Sequence, residues 1–315
     1  MPVRLPSGTD PAARILLEGL VDYAGLFPPA ALPMAEAVRR FAHYRAGGQG
    51  WMLGRFICPA GGLEPFARAA DPFLPRDAGA IPWRLAVTGS GDVTADLAAI
   101  AAFNARHRVG RDECSAEVDA YETRVATREA VHTLAAALPP TLTAYCELPL
   151  GDDLPALVAA VAAAGLRAKV RTGGVTADAI PPAEGVLALL RACRAHGVPC
   201  KATAGLHHVL GGRHPLTEAV DADTAEMYGF APLFLTAALL DTPAGHEGDT
   251  ARQLVLERRP EAFVATDEAI TWRGPHGDHA FSREALRRLR ATQLISFGSC
   301  SFLEPAQETR ALGWH

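Results

Sequence analysis

Strand-like and helix-like segments alternate along the whole of this 315-residue sequence, and this alternation constrains the fold more than any other feature. Short apolar runs that end at glycine or proline are typical of buried strands. Eight such runs occur, at Leu20–Phe27, Trp51–Cys58, Trp83–Thr88, Ala116–Glu122, Thr143–Leu148, Arg167–Thr172, Pro199–Ala204 and Leu294–Cys300. Helical patterns lie between them, at Met34–Arg45, Thr94–Arg106, Thr127–Ala137, Leu154–Ala164, Pro182–His196 and Arg283–Thr292. This alternation predicts one α/β domain over residues 1–315, a (β/α)8 TIM-type barrel. A doubly wound open sheet is the alternative, which the absence of an early G-x-G-x-x-G disfavours.

Residues 211–282 form a segment that is too long for one connection between a barrel strand and its helix. Within it, the sequence predicts an apolar helix at Ala231–Leu240 and a second helix at Thr250–Arg258. A hairpin that pairs Ala262–Trp272 with His279–Phe281 follows. We therefore expect an insertion before the last strand, which forms a lid over the barrel mouth or an interface.

Composition indicates a globular enzyme of the cytoplasm. Hydrophobic residues make up 49% of the chain and charged residues 21%, with a formal net charge of −5. This acidic balance argues against a nucleic-acid partner, and no apolar run is long enough to predict a membrane span. Six cysteines show no CxxC pair, which predicts free thiols in a reducing compartment. The N-terminal residues show no signal-peptide pattern.

Lysine occurs at only two positions, Lys169 and Lys201, whereas arginine occurs 28 times. Each lysine lies midway along a short, apolar-flanked run that ends in glycine. An arginine can replace a lysine as a surface cation. It cannot replace a neutral amine nucleophile, because guanidinium does not deprotonate in proteins. The two lysines are therefore candidates for a role that needs an amine.

Successive side chains along a strand point to opposite faces of the sheet. In the fourth to seventh predicted strands, this parity puts small or apolar residues on one face and charged residues on the other. The charged face carries Glu117, Asp119, Tyr121, Tyr145, Glu147, Lys169, Arg171, Lys201 and Thr203. In a barrel this face lines the interior, and active sites lie at its C-terminal mouth. Because buried charges are costly unless they are paired, their convergence predicts a site, with an ordinary ion-pair layer as the alternative.

The lysines have three possible roles. One can form a Schiff base while the other cation lowers the pKa of the attacking amine. Both can bind a substrate phosphate or carboxylate, or both can simply neutralise Glu117, Asp119 and Glu147. With the lysines, Glu147 and Asp119 are the predicted catalytic residues. Asp22 on the first strand and Arg55 on the second are predicted to face the substrate.

Glycine-containing turns follow both lysine strands, and glycine lets backbone N–H groups approach an anion closely. Two adjacent histidines, His207 and His208, come next; because adjacent side chains usually diverge, at most one is expected to face the substrate. The predicted substrate-binding residues of these turns are Arg171, Thr172, Gly173, Gly174, Thr203, Gly205 and His207. Cys300 ends the last strand, but the sequence identifies no base beside it.

Two lysines on consecutive late strands, each followed by small residues and glycine, resemble class I aldolases of the deoxyribose-phosphate aldolase type. The resemblance covers about 40 of the 315 residues, and the runs at 166–174 and 198–205 carry it. It implies a (β/α)8 barrel in which Lys169 forms the Schiff base, Lys201 perturbs it and the glycine turns hold a phosphate. The sequence departs from the family where Val170-Arg171 precedes the Thr-Gly pair and Leu206 follows Gly205.

The leading hypothesis is therefore a lyase of the aldolase type that acts, without a cofactor, on a small phosphorylated or carboxylated carbonyl compound. One alternative is a metal-dependent barrel enzyme with ligands from Glu117, Asp119, Glu147, His207 and His208. The other is a non-catalytic barrel that binds an anionic metabolite. The small anionic substrate is the expected partner, and a homo-oligomer is possible.

Overall fold

The computed structural model describes residues 10–77, 79–108, 115–217 and 219–314. At its centre, eight parallel strands form a closed barrel in the order β1-β13-β7-β6-β5-β4-β3-β2. The strands are β1 (Val21–Tyr23), β2 (Leu53–Pro59), β3 (Trp83–Thr88), β4 (Ala116–Arg124), β5 (Thr143–Glu147), β6 (Arg167–Arg171), β7 (Cys200–Thr203) and β13 (Leu294–Ser299). The barrel closes because β1 pairs with both β13 and β2. The predicted (β/α)8 fold is confirmed.

Helices surround the barrel, and the main apolar core lies between them and the outward faces of the strands. They are α1 (Ala12–Leu17), α2 (Met34–Ala46), α3 (Leu63–Ala70), α4 (Val93–Arg106), α5 (Arg128–Ala137), α6 (Leu154–Ala163), α7 (Ala183–His196), α10 (Arg283–Thr292) and α11 (Leu303–Ala311). Local signals agree with these bounds: Asp92 accepts a hydrogen bond from the Ala95 amide and caps α4. Gly197, at φ 63°, ends α7. None of the described helices has both the length and the apolar content needed to cross a bilayer.

The segment before β13 holds smaller elements, and none of its described strands joins the barrel. They are the hairpin of β8 (Gly212–Pro215) and β9 (Thr224–Met227), α8 (Phe230–Leu239), α9 (Thr250–Val255) and the sheet of β10 (Phe263–Ala265), β11 (Ala269–Gly274) and β12 (Gly277–Ser282). The predicted helices and the β11–β12 hairpin are present. The β8–β9 hairpin was not predicted, and the stretch predicted as one strand at 262–272 contains two. All ten residues of α8 are buried, and Phe230 stacks on Phe297 of β13 with 4.7 Å between ring centroids.

Candidate active site

An ion-pair network centred on Glu122 of β4 is buried in the barrel. Lys201 Nζ donates hydrogen bonds of 2.6 Å to Glu122 Oε1 and 2.6 Å to Asp22 Oδ2. Lys169 Nζ lies 2.9 Å from Glu122 Oε2 and 3.1 Å from Glu147 Oε2. The lysines are backbone partners on β6 and β7, as predicted. Their two ammonium groups therefore share the oxygens of one carboxylate.

The network runs from the solvent into the barrel. At its outer end, Arg124 Nε donates a 3.1 Å hydrogen bond to Glu147 Oε1. Side-chain exposure falls from 82% at Arg124 to 11% at Glu147 and 8% at Lys169. It reaches 1% at Lys201 and at Glu122. Since Arg124 and Glu147 are the last residues of β4 and β5, the outer end is the C-terminal mouth of the barrel.

The innermost groups are held in their charged forms. Burial acts to raise the pKa of Glu122, but Lys169 and Lys201 outweigh it and hold this pKa at about 2. Burial likewise opposes ionisation of Asp22, yet Lys201 and Arg55 lower its pKa. Burial acts to lower the pKa of Lys201, but Asp22 and Glu122 outweigh it and raise the pKa above its ordinary value. Lys201 is therefore a fixed ammonium.

Asp119 forms its ion pairs with arginines, so the prediction that it lies beside the lysines is wrong. Its carboxylate accepts hydrogen bonds of 2.6 and 2.9 Å from Arg55 and a further 2.6 Å bond from Arg84 Nε. Arg55 also donates its backbone N–H to Asp22 Oδ1 at 2.8 Å. The Arg55 side chain is therefore occupied by Asp119, and its backbone N–H helps to hold Asp22, which in turn binds Lys201.

A β-bulge in β4 explains why Glu122 was not predicted. Leu85 pairs with Val118, but the next residue of β3 pairs with Ala120, so Asp119 is an extra residue. Beyond the bulge the faces are exchanged: Glu122 points inward, and the Tyr121 hydroxyl donates a 2.7 Å hydrogen bond to Asp96 of α4. The predicted inward orientation of Tyr121 is therefore wrong. Because the bulge contains no glycine, the sequence gives no local signal of it, and the alternation of faces was extended through it without a break.

Glu117 precedes the bulge, where its backbone pairs with that of Arg84. Within the described residues, no ion pair includes Glu117. Tyr145, in contrast, faces the interior as predicted: Lys201 Nζ lies 5.4 Å from its ring centroid. Arg167 donates a 3.0 Å hydrogen bond to its hydroxyl.

The turns beyond β6 and β7 are in direct backbone contact. A Cβ atom on Gly173 would lie 2.8 Å from Gly205 Cα, so only glycine fits there. Ala204 and Gly205 have left-handed φ values of 63° and 72°. Thr172 donates its hydroxyl to Ala204 O at 2.7 Å and its amide to Thr203 O at 2.8 Å, so both of its donors hold the turn.

The other residues predicted to bind substrate in these turns lie near the close approach of Gly173 and Gly205. Arg171, the last residue of β6, is exposed at the mouth. A Cβ on Gly174 would lie 2.6 Å from the Ala179 side chain. The Thr203 hydroxyl lies at the end of β7, within 3.0 Å of where a Cβ on Gly298 would stand.

The two histidines point in different directions. His207 Nδ1 lies 3.0 Å from Ser299 Oγ and 3.6 Å from Cys300 Sγ, at the end of β13. Burial lowers the pKa of His207 to about 4, so the ring is neutral at physiological pH. His208 Nδ1 lies 2.6 Å from Glu308 Oε1 of α11, and its ring stacks on His214 of β8. His207 is thus the base beside Cys300 that the sequence did not identify.

The predicted metal ligands are dispersed over the barrel. Asp119 is bound to arginines, Glu147 to Lys169 and Arg124, and the two histidines to separate partners. Within the described residues, no group of three or more histidine, cysteine or acidic side chains is arranged to hold a metal ion. The alternative of a metal centre at Glu117, Asp119, Glu147, His207 and His208 is therefore wrong, because these side chains do not converge.

Comparison with known proteins identifies no family. No protein-family model matches the sequence, and a search of curated proteins finds no match. Among solved structures, the chain is similar to nitroalkane oxidase from Streptomyces ansochromogenes, with 18% sequence identity and a TM-score of 0.31. The alignment covers 62% of this chain and 61% of the oxidase, which is less than two thirds of that protein's length.

Proposed function

We propose that this protein is an enzyme of the aldolase type, in which Lys169 forms an imine with a small anionic carbonyl compound at the barrel mouth. The observation that carries the proposal is the position of Lys169. Its ammonium lies between Glu122, which is shared with a fixed cation, and Glu147, which is partly open to the mouth. The resemblance of the two lysine strands to class I aldolases supports the same assignment.

The contacts of the two lysines favour Lys169 as the nucleophile. Lys201 makes two hydrogen bonds of 2.6 Å and is enclosed. Lys169 is held less firmly: although it lies 2.9 Å from Glu122 Oε2, that oxygen accepts no hydrogen bond of good geometry. An amine nucleophile must turn toward the carbonyl carbon, and the looser contacts of Lys169 allow this more easily than the two short hydrogen bonds of Lys201.

The chemistry requires proton transfers that Glu147 is placed to make. Glu147 Oε2 accepts a proton from the Lys169 ammonium, and the neutral amine adds to the substrate carbonyl carbon. After a proton moves from nitrogen to oxygen, Glu147 returns the proton it holds to the carbinolamine hydroxyl, which leaves as water. This step gives an iminium ion and a carboxylate at Glu147. A base, Glu147 in this scheme, removes the proton of the β-hydroxyl group as the bond between the α- and β-carbons breaks. The electron pair moves to the iminium nitrogen, which gives a carbonyl fragment and an enamine.

The return half of the cycle uses the same groups. Protonation of the enamine carbon regenerates an iminium ion, and water hydrolyses it to release the second product and Lys169. Lys201 keeps its charge throughout, because Asp22 and Glu122 stabilise its ammonium form. In this scheme Lys201 is a fixed cation that holds Glu122 ionised and in place beside Lys169.

Borohydride trapping tests the proposal, because it reduces an imine to a stable secondary amine. The protein would be incubated with glyoxylate, pyruvate, glycolaldehyde or glyceraldehyde 3-phosphate, reduced, and mapped by mass spectrometry. With two lysines in the chain, peptide mapping separates an adduct at Lys169 from adducts at Lys201 and at the N-terminal amine. We expect one adduct, at Lys169. Adducts only at the N-terminal amine, or none above a heat-denatured control, would overturn the proposal.

If no imine is trapped but calorimetry shows that one of these anions binds, the non-catalytic anion-binding barrel becomes the better account. The salt bridges of Glu122 with Lys169 and Lys201 are then an ion-pair layer beneath the binding site.

A further inference from the structure

Arg124 occupies a position in this network that no other described cation shares. Backbone pairing aligns Arg124 with Glu147, and Glu147 with Lys169, across three neighbouring strands. One oxygen of Glu147 lies 3.1 Å from Arg124 Nε, and the other lies 3.1 Å from Lys169 Nζ. The guanidinium and the candidate nucleophile are therefore separated by the width of one carboxylate.

Arg124 also has unused binding capacity. Its side chain is 82% exposed, and its hydrogen bond to Glu147 uses one of the five N–H donors of a guanidinium group. Within the described residues, its other N–H groups donate to no protein atom. Arg55 and Arg84 are already engaged with Asp119, and Arg167 with Tyr145. Arg171 at the end of β6 is also exposed, but within the described residues Arg124 is the arginine that pairs with Glu147.

We propose that Arg124 binds the anionic group of the substrate and thereby selects short anionic carbonyl compounds over neutral ones. This inference rests on the proposed function, since it places the carbonyl group at Lys169. A planar guanidinium binds a carboxylate or a phosphate through two parallel hydrogen bonds. Because only Glu147 separates the two cations, the anionic group must lie a few bonds from the carbonyl carbon.

The shared carboxylate also links substrate binding to proton transfer. When the guanidinium turns to the substrate anion, one oxygen of Glu147 loses its cation while the other remains beside Lys169. Glu147 is then free to accept the Lys169 proton described above. A neutral compound leaves Arg124 on Glu147 and does not promote this transfer.

Paired probes of equal length test the role of Arg124. Glyoxylate and glycolaldehyde each have two carbons and one aldehyde, but only glyoxylate carries a carboxylate; glycolaldehyde phosphate tests a phosphate in its place. The rate of borohydride trapping at Lys169 would be measured against probe concentration in the wild type, in R124Q and in R76Q. Arg76 is a matched control, since its 72% exposed side chain contacts one carboxylate, Asp71, away from the network.

We expect R124Q to weaken the apparent affinity for glyoxylate roughly 10- to 100-fold, as the loss of a hydrogen bond between charged groups implies. The affinity for glycolaldehyde should change much less, and R76Q should match the wild type with both probes. A larger loss with glycolaldehyde phosphate than with glyoxylate would identify phosphate as the preferred anion. An equal loss for charged and neutral probes, or no loss in R124Q, would refute the inference.

Calorimetric titration with glyoxylate, without borohydride, separates this inference from the proposed function. Arg124-dependent binding without any trapped adduct would leave the anion site standing and overturn the imine. Trapping at Lys169 with unchanged glyoxylate affinity in R124Q would support the imine and overturn the anion site at Arg124.

Discussion

Replacement of Glu122 by glutamine tests whether one carboxylate holds the barrel interior together. The variant keeps the size of the side chain but removes the charge that Lys169 and Lys201 share. Each buried ammonium would then retain one carboxylate, Glu147 for Lys169 and Asp22 for Lys201. Removal of one partner from a buried ion pair destabilises a protein by about 3–5 kcal/mol.

The pKa of Glu122 gives a second measure of the same effect. It falls from an ordinary 4.5 to about 2 in the folded protein. Since a tenfold change in proton affinity is worth about 1.4 kcal/mol, the ionised carboxylate contributes about 3 kcal/mol to folding. The folded pKa is the lower one. This contribution is therefore complete above about pH 4.5 and is lost as the pH falls toward 2.

Urea unfolding followed by far-UV circular dichroism, at pH 7 and at several acidic values, measures both quantities. We expect E122Q to be about 3 kcal/mol less stable than the wild type at pH 7, with a difference that shrinks below about pH 4.5. E64Q is the control. Glu64 is a 53% exposed partner of Arg68 and Arg106, so solvent screens these pairs and the loss of Glu64 should change the stability little at any pH. Equal stability of E122Q and wild type at pH 7, or a difference independent of pH, would refute the reasoning.

Further predictions concern the mouth and the bulge. Because burial lowers the pKa of His207 to about 4, its ring should stay neutral in NMR titrations down to that pH. The unfolded chain binds this proton first, so H207Q should remove a loss of stability as the pH falls from about 6.5 toward 4. Gly173→Ala should destabilise the protein by about 1–3 kcal/mol in urea, because its Cβ would meet the backbone of the facing turn. Gly151→Ala, where a Cβ meets nothing within 4 Å, is the control. Tyr121→Phe should cost about 1.5–3 kcal/mol in the same assay, through the lost bond to Asp96; no loss would contradict the outward orientation of this ring.

The barrel could be predicted from the sequence because each barrel strand is bounded by turn residues and followed by a helix. The spacing of Lys169 and Lys201 on consecutive strands placed them side by side, since parallel neighbours align their inward positions. The β8–β9 hairpin escaped prediction for a physical reason. Its short strands, such as Gly212–Pro215, are polar and partly exposed, so they lack the apolar alternation that marks a buried strand.

The carboxylates that pair with Lys169 and Lys201 could be predicted only in part. Alternation held on β5 to β7, where Glu147 and Tyr145 face inward as expected. It failed on β4, where one extra residue exchanged the faces and made Glu122 the centre in place of Asp119. Long-range pairing, such as that of Asp22 with Lys201, depends on the diameter and register of the closed barrel, which no local pattern encodes.

The central claim is that Lys169, and not Lys201, forms the imine. Its most direct test is the mass of the adduct trapped by borohydride with glyoxylate in K169R and K201R, compared with wild type. Both variants keep the positive charge, and neither has an amine at the replaced position. We expect trapping in K201R at a reduced rate and none in K169R. An adduct that persists at wild-type yield in K169R and disappears in K201R would contradict the account.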